Sequence, residues 1–127
     1  MVNPYVPEAG DIVMLDFDPH DHPTPRKSGA GRGPRGREQA KRRPALVVTD
    51  QRYNRASGLA VVCPLTSKRK PYPFALPITV GEVEGAVLVD QLKSLDWSGG
   101  NAKFHSRAEA GLVSKVRQYI AVLLGLR

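Results

Sequence analysis

Glycine and proline interrupt this chain so often that, ahead of its C-terminal segment, no apolar stretch has room to be more than a short strand. The stretch Asp11–Phe17 follows a turn signal at Gly10-Asp11, is rich in β-formers and ends before Pro19, so it is expected to be a first strand. Ala45–Val48 and Leu59–Cys63 are short apolar runs on either side of a polar turn at Tyr53–Gly58, a pattern that predicts a hairpin. Two more strand candidates, Tyr72–Thr79 and Ala86–Leu92, are separated by the segment Gly81–Gly85. Pro73 and Pro77 put the former at an edge or a bulge, because proline has no N–H to donate to a ladder. Short strands with turn signals this close together favour a sandwich or a small barrel.

The period changes near the end of the chain. Leu112, Val116, Tyr119, Ile120 and Leu123 recur at three- and four-residue spacing, with Val113 and Leu124 beside them, which is one stripe of an amphipathic helix. Ser106-Arg107-Ala108-Glu109 reads as a capping box ahead of it and Gly125 as its stop. That stripe must cover the barrel or a partner. Residues 20–42, by contrast, hold five glycines or prolines between Pro23 and Gly33 and almost no large apolar side chain, so they are expected to form a long loop insertion. Its Lys27, Arg32, Arg35, Arg37, Lys41 and Arg42 either track a phosphate backbone or simply stay solvated.

A chain of 127 residues is read as a single domain, 1–127, and its hydrophobic fraction of 41% suffices for a packed core. No apolar run approaches the roughly 20 residues that a membrane-spanning helix needs. Met1-Val2-Asn3-Pro4-Tyr5 lacks the basic start and apolar stretch of a secretory signal, so a cytoplasmic location is expected. The lone cysteine, Cys63, sits in an apolar run and reads as a buried, inert thiol. Lys and Arg number 19 against 12 Asp and Glu, a net charge of +7. Such an excess suits polyanionic partners, nucleic acid foremost, because neutralised phosphates release their condensed counterions.

The groups that several enzyme classes require are missing. There is no P-loop, no Cys/His set at zinc spacing, no nucleophile elbow and no dinucleotide fingerprint. No cofactor and no metal site are therefore expected. His20 and His22 lie beside Asp18 and Asp21 in the loop, where they either ligate a divalent metal or trade protons or, as loop histidines ordinarily do, stay solvated, and His105 precedes the helix as a structural or exposed residue. The informative groups are Arg43-Pro44 at the start of a strand, Thr66-Ser67 directly after another, and Lys68-Arg69-Lys70. Taken singly, each has an ordinary reading: a loop end, a turn, a solvated rim.

In company they carry a resemblance. Tyr5-Val6-Pro7, Gly10-Asp11, Asp16-Phe17-Asp18-Pro19, Glu38-Gln39, Arg43-Pro44-Ala45, Pro64-Leu65-Thr66-Ser67, Tyr72-Pro73-Phe74 and Asp90-Gln91-Leu92-Lys93-Ser94 stand in order and nearly in spacing. Over nearly its whole length, the enlarged loop excepted, the chain resembles the MazF/PemK family of toxin endoribonucleases. The resemblance implies a mainly β fold, a small SH3-like or CcdB-like barrel with a C-terminal helix packed on it. It implies metal-independent cleavage of single-stranded RNA at short preferred sequences, the ribose 2′-OH attacking the adjacent phosphate to leave a cyclic phosphate and a 5′-OH. A symmetric homodimer with RNA along a groove across its face, and a cognate antitoxin whose acidic tail occupies that groove, are implied as partners. Carried over by position, Arg43 and Thr66 are the cleavage residues and Glu38, Gln39, Ser67 and Lys70 lie near RNA, with Lys68 and Asp90 as further RNA-binding candidates. Asp90 has a competing reading, a carboxylate that fixes neighbouring loops.

The residue types suit the reaction. In-line attack builds negative charge on the non-bridging oxygens, and a planar guanidinium such as Arg43 meets two of them with parallel charge-assisted hydrogen bonds. A Thr66 hydroxyl and nearby N–H groups can donate to the same oxygens, as in an oxyanion hole. Arginine is protonated at any ordinary pH and so is a poor acceptor for the 2′ proton, which leaves Glu38 as the candidate base. Some relatives carry a histidine just before the Glu-Gln pair, where Arg37 stands here. Two rivals share the fold class: a toxin that inhibits a protein target such as a topoisomerase, and a nucleic-acid-binding module without turnover. An inhibitor of a protein target has no reason to keep the Arg43/Thr66 pair, and incubation with single-stranded RNA in EDTA separates all three readings. Trp97 and Phe74 are open between base stacking and core packing.

Overall fold

The computed structural model describes residues 5–16, 42–67, 72–80, 83–99 and 102–126. In chain order these form β1 (Asp11–Asp16), β2 (Arg42–Val47), α1 (Gln51–Ser57), β3 (Leu59–Thr66), β4 (Ala75–Val80) and β5 (Val83–Leu88). A 3-10 turn (Val89–Gln91) follows, then β6 (Lys93–Asp96), β7 (Ala102–Arg107) and α2 (Ala110–Leu123). The seven strands run β4-β5-β3-β2-β1-β7, every ladder is antiparallel, and β6 also pairs with β3. The sheet curls into a half-barrel with the helix at its end, the mainly β class that the sequence implies.

Alternation along β1, β2 and β3 explains the curl. One set of side chains, Ile12, Leu46 and Cys63, joins Leu76, Val87, Val89 and Val116 in a first buried cluster, covered by Leu112, Tyr119 and Ile120 of α2. Val13, Leu15, Ala45, Val47, Ala60 and Val62 alternate with it and form a second cluster, covered by Tyr5, Leu95, Trp97 and Ala102. A strand buried on both faces reads as a continuous apolar run, which is why Ala45–Val48 shows no polar alternation. Each fully buried Val, Leu or Ile here stabilises by about 1.5–3 kcal/mol relative to an exposed one. Cys63 is fully buried, as expected, and burial together with the charge of Asp90 pushes its thiol up to about 12.

Several expectations shift. The segment Tyr53–Gly58 is the body and end of α1 rather than a turn, although β2 and β3 do pair as a hairpin would. Its anchor is Asn54, fully buried, whose amide donates to Pro7 O at 2.8 Å and Thr49 O at 3.0 Å while its Oδ1 accepts from Thr49 Oγ1 at 2.6 Å. Gly58 then ends the helix at φ 78°, its N–H on Asn54 O at 2.9 Å. The capping box does not form: Ser106 lies in β7 opposite Ile12, and α2 starts after Glu109 with no side-chain cap. His105 sits in an exposed strand position beside a bulge in the β1–β7 ladder, in keeping with the exposed reading of it. The apolar stripe of α2 is covered only as far as Ile120, leaving Leu123 and Leu124 exposed, and Gly125 closes the helix at φ 76°. Tyr72–Phe74 turn rather than extend, β5 begins inside the expected Gly81–Gly85 separator, and β6 and β7 carry no clear alternation in the sequence.

Candidate active site

Arg43 is the second residue of β2 and Thr66 the last of β3, so an antiparallel pairing brings both to the same end of the sheet. The observed register is Ala45↔Pro64, Leu46↔Cys63 and Val47↔Val62. That register ends at Ala45↔Pro64 and Thr66 itself pairs with Ala86 of β5, so Arg43 and Thr66 each lie two residues past the last β2–β3 pair, beyond the same end of that ladder. Alternation assigns the face: Ala45 and Val47 of β2, and Ala60 and Val62 of β3, all enter the second cluster, and Arg43 and Thr66 fall on that parity beyond its rim. Arg43 is exposed, Thr66 half-buried and Ser67 exposed at the bend that follows. On the other side of β2, Arg43 faces Leu15, which is only 2% exposed and closes the second cluster beneath it. No ion pair or side-chain hydrogen bond ties the Arg43 guanidinium to a described residue.

The chain that frames Thr66 from the far side is β5. Leu65 pairs with Val87 and Thr66 with Ala86, and Gly85 lies against the Thr66–Ser67 backbone. In the sequence Gly85 stands in the separator between two strand candidates, 19 positions from Thr66 in a different run, so no local signal announces this contact. Just beyond β5, Asp90 sits half-buried in the 3-10 turn. Its Oδ2 accepts the Tyr72 hydroxyl, and this bond to the carboxylate raises the tyrosine's pKa. Its Oδ1 is buried and has no hydrogen-bond partner among the described residues. A carboxylate so engaged fits the loop-fixing reading of Asp90 better than direct contact with RNA.

Glu38, Gln39, Lys68 and Lys70 lie outside the described residues, as do His20, His22 and Arg37. The two aromatic candidates resolve to packing. Trp97 donates Nε1–H to Asn54 O at 3.1 Å and Leu59 O at 3.0 Å and covers the second cluster. Phe74 meets Tyr119 edge-on, with ring centroids 6.1 Å apart, over the first. Near the N-terminus, Asp11 is buried and accepts Arg107 Nη1 at 2.6 Å, the Tyr5 hydroxyl at 2.5 Å and Glu8 N–H at 3.0 Å. Burial, and then this bond, raise the pKa of Tyr5. Among the described residues no group of three or more His, Cys, Asp or Glu is arranged to hold a metal ion, and no helix is long and apolar enough to cross a membrane.

Residues 8–124 match the family described as PemK-like, MazF-like toxin of type II toxin-antitoxin system. The chain is 33% identical to the endoribonuclease toxin MazF of Escherichia coli (strain K12) over 125 residues, 98% of this chain and 100% of that protein. It is 33% identical to the endoribonuclease toxin ChpB of the same strain over 104 residues, 76% of this chain and 75% of that one. Among solved structures, MazE-MazF (Form-II) from Deinococcus radiodurans superposes with a TM-score of 0.74 at 35% identity, covering 97% of this chain and 99% of the other.

Proposed function

The chain belongs to the PemK-like, MazF-like toxin family; it is an endoribonuclease toxin, and we propose that it cuts single-stranded RNA at short preferred sequences, without a metal, until a cognate antitoxin occupies the same groove. The observation that supports the reading is the antiparallel pairing of β2 and β3, whose last pair, Ala45↔Pro64, lies two residues from both Arg43 and Thr66.

The chemistry follows from those two groups. The 2′ oxygen attacks phosphorus as the bond to the 5′ oxygen breaks, so negative charge gathers on the two non-bridging oxygens. Arg43, exposed and uncommitted to any described carboxylate, offers its fork of N–H donors to both. The Thr66 hydroxyl, half-buried and so partly shielded from water, donates to one of them in a setting where each donor is worth more than in bulk solvent. Glu38 takes the 2′ proton and the departing 5′ oxygen takes a proton from water, leaving a cyclic phosphate and a 5′-OH. Gln39, Ser67, Lys68 and Lys70 hold the flanking strand, consistent with the net charge of +7. Asp90 acts by fixing Tyr72 rather than by touching RNA. Two copies form the working unit in the cytoplasm, and the antitoxin competes through an acidic segment.

Incubating the purified protein with a long single-stranded RNA in EDTA tests this. The expected result is a defined set of fragments ending in 2′,3′-cyclic phosphate and beginning with 5′-OH, with no cut where the scissile nucleotide is 2′-deoxy. Intact RNA, the outcome for an inhibitor of a protein target or a binding module, overturns the reading.

A further inference from the structure

We propose that Gly85 is a positioning residue for cleavage: by having no side chain it lets β5 lie directly on the Thr66 carbonyl, and so sets where the Thr66 hydroxyl stands relative to Arg43. The proposal rests on the reading of Thr66 as a cleavage residue.

Three observations carry it. First, the β2–β3 register ends at Ala45↔Pro64, whereas Leu65 and Thr66 pair with Val87 and Ala86, so the last residues of β3 are held from the β5 side. Second, a Cβ at Gly85 would overlap the Thr66 carbonyl oxygen and stand 3.2 Å from its carbonyl carbon and 3.4 Å from Ser67 Cα. Those neighbours are backbone, with no rotamer to swing away, so either β5 or the Thr66–Ser67 corner has to move. Third, β5 is not free to retreat. It is laddered to β4 over six pairs from Ala75↔Leu88 to Val80↔Val83, and Val87 is fully buried in the first cluster. The corner carrying Thr66 is therefore what gives.

Room, not backbone freedom, is the reason for glycine here. Gly10, Gly58 and Gly125 have positive φ values, and Gly85 is not among them, so an L-residue could adopt its backbone conformation. What an L-residue could not do is occupy its space. A displacement on the order of 1 Å at a catalytic group costs about 100-fold in rate, because the reacting atoms leave their near-attack geometry.

The test is a double-mutant cycle on the full-length protein, with single-turnover cleavage of a defined single-stranded RNA and binding of its uncleavable 2′-deoxy analogue as separate readouts. Gly85→Ala is expected to slow the chemical step about 100-fold while analogue affinity changes less than about threefold. In a Thr66→Ala background the same change is expected to slow the residual reaction by less than about threefold, since a group already removed cannot be misplaced. A merely structural defect would act equally in both backgrounds. If Gly85→Ala does not fold, Ala86→Gly, which loosens β5 at the Thr66 partner without adding bulk, must slow the chemical step only when Thr66 is present. Equal losses in both backgrounds, or a wild-type rate in Gly85→Ala or, failing that, in Ala86→Gly, overturn the proposal while Thr66 stands. A wild-type rate in Thr66→Ala overturns the reading of Thr66 and the proposal with it.

Discussion

Replacing Arg43 by alanine separates a catalytic arginine from a structural one, because the two roles give opposite signatures. The guanidinium is exposed and makes no ion pair with a described residue, so its loss should change stability by no more than about 0.5 kcal/mol, the usual span for such surface positions. For 127 residues, an unfolding entropy of about 2.1 cal/mol/K per residue sums to roughly 270 cal/mol/K, which turns that figure into a shift in Tm of about 2 °C or less. The rate should respond quite differently. Two charge-assisted hydrogen bonds are worth about 1.5–3 kcal/mol each, but only the part that strengthens toward the transition state accelerates the reaction. Taking the roughly 2.7–4 kcal/mol lost with a single preorganised oxyanion donor as the guide, cleavage should fall about 100- to 1000-fold. Arg43→Lys keeps the charge and loses the planar fork, so it should fall between alanine and the wild type. Single-turnover cleavage of a short labelled RNA, read beside calorimetric melting, measures both quantities. An Arg43→Ala protein that keeps more than about a tenth of the wild-type rate, or that melts more than about 5 °C lower, would show that the guanidinium is not the transition-state donor argued for here.

Stability should be concentrated elsewhere. Asn54→Ala strips three side-chain hydrogen bonds, one buried and two part-buried, leaving Pro7 O and Thr49 O without their amide donor. At about 1 kcal/mol each this amounts to about 3 kcal/mol, or roughly 10 °C in Tm, and thermal unfolding followed by circular dichroism should show it. A shift below about 3 °C would mean that water replaces the amide at no cost. Alkaline pH should unfold the protein partly through Cys63, whose thiol burial pushes up to about 12. The unfolded chain gives up that proton first, so the contribution is intact below the ordinary thiol value of about 8.5 and declines as pH rises toward the folded value, at up to about 1.4 kcal/mol per pH unit. Tyr5 acts in the same direction, so the diagnostic is the difference from Cys63→Ala, whose denaturant midpoint should fall less steeply above pH about 9; parallel curves would exclude the thiol.

What could be read from the chain was whatever depends on neighbours within a few residues. Ile12–Leu15, Ala45–Val47 and Leu59–Cys63 announce strands because period and β-propensity are local, and Leu112–Ile120 announces a helix for the same reason. The motifs at Arg43 and Thr66 singled out the candidate site only through the family resemblance that they and the other motifs carry. The tertiary structure decided what depends on distant partners. Asn54 makes a helix of an apparent turn by bonding Pro7, 47 residues back. Ser106 gives up its capping role because pairing with Ile12 takes it into a strand. Trp97 packs over the second cluster, half-buried, where the carbonyls of Asn54 and Leu59 receive its N–H. Arg43 and Thr66 are separate words in the sequence, and only the pairing of β2 with β3 puts both past the same ladder end, while β5 pairs with Thr66 and lies against its backbone at Gly85. Local propensity is written residue by residue, whereas a site is a coincidence of backbones that meet only once the sheet has curled.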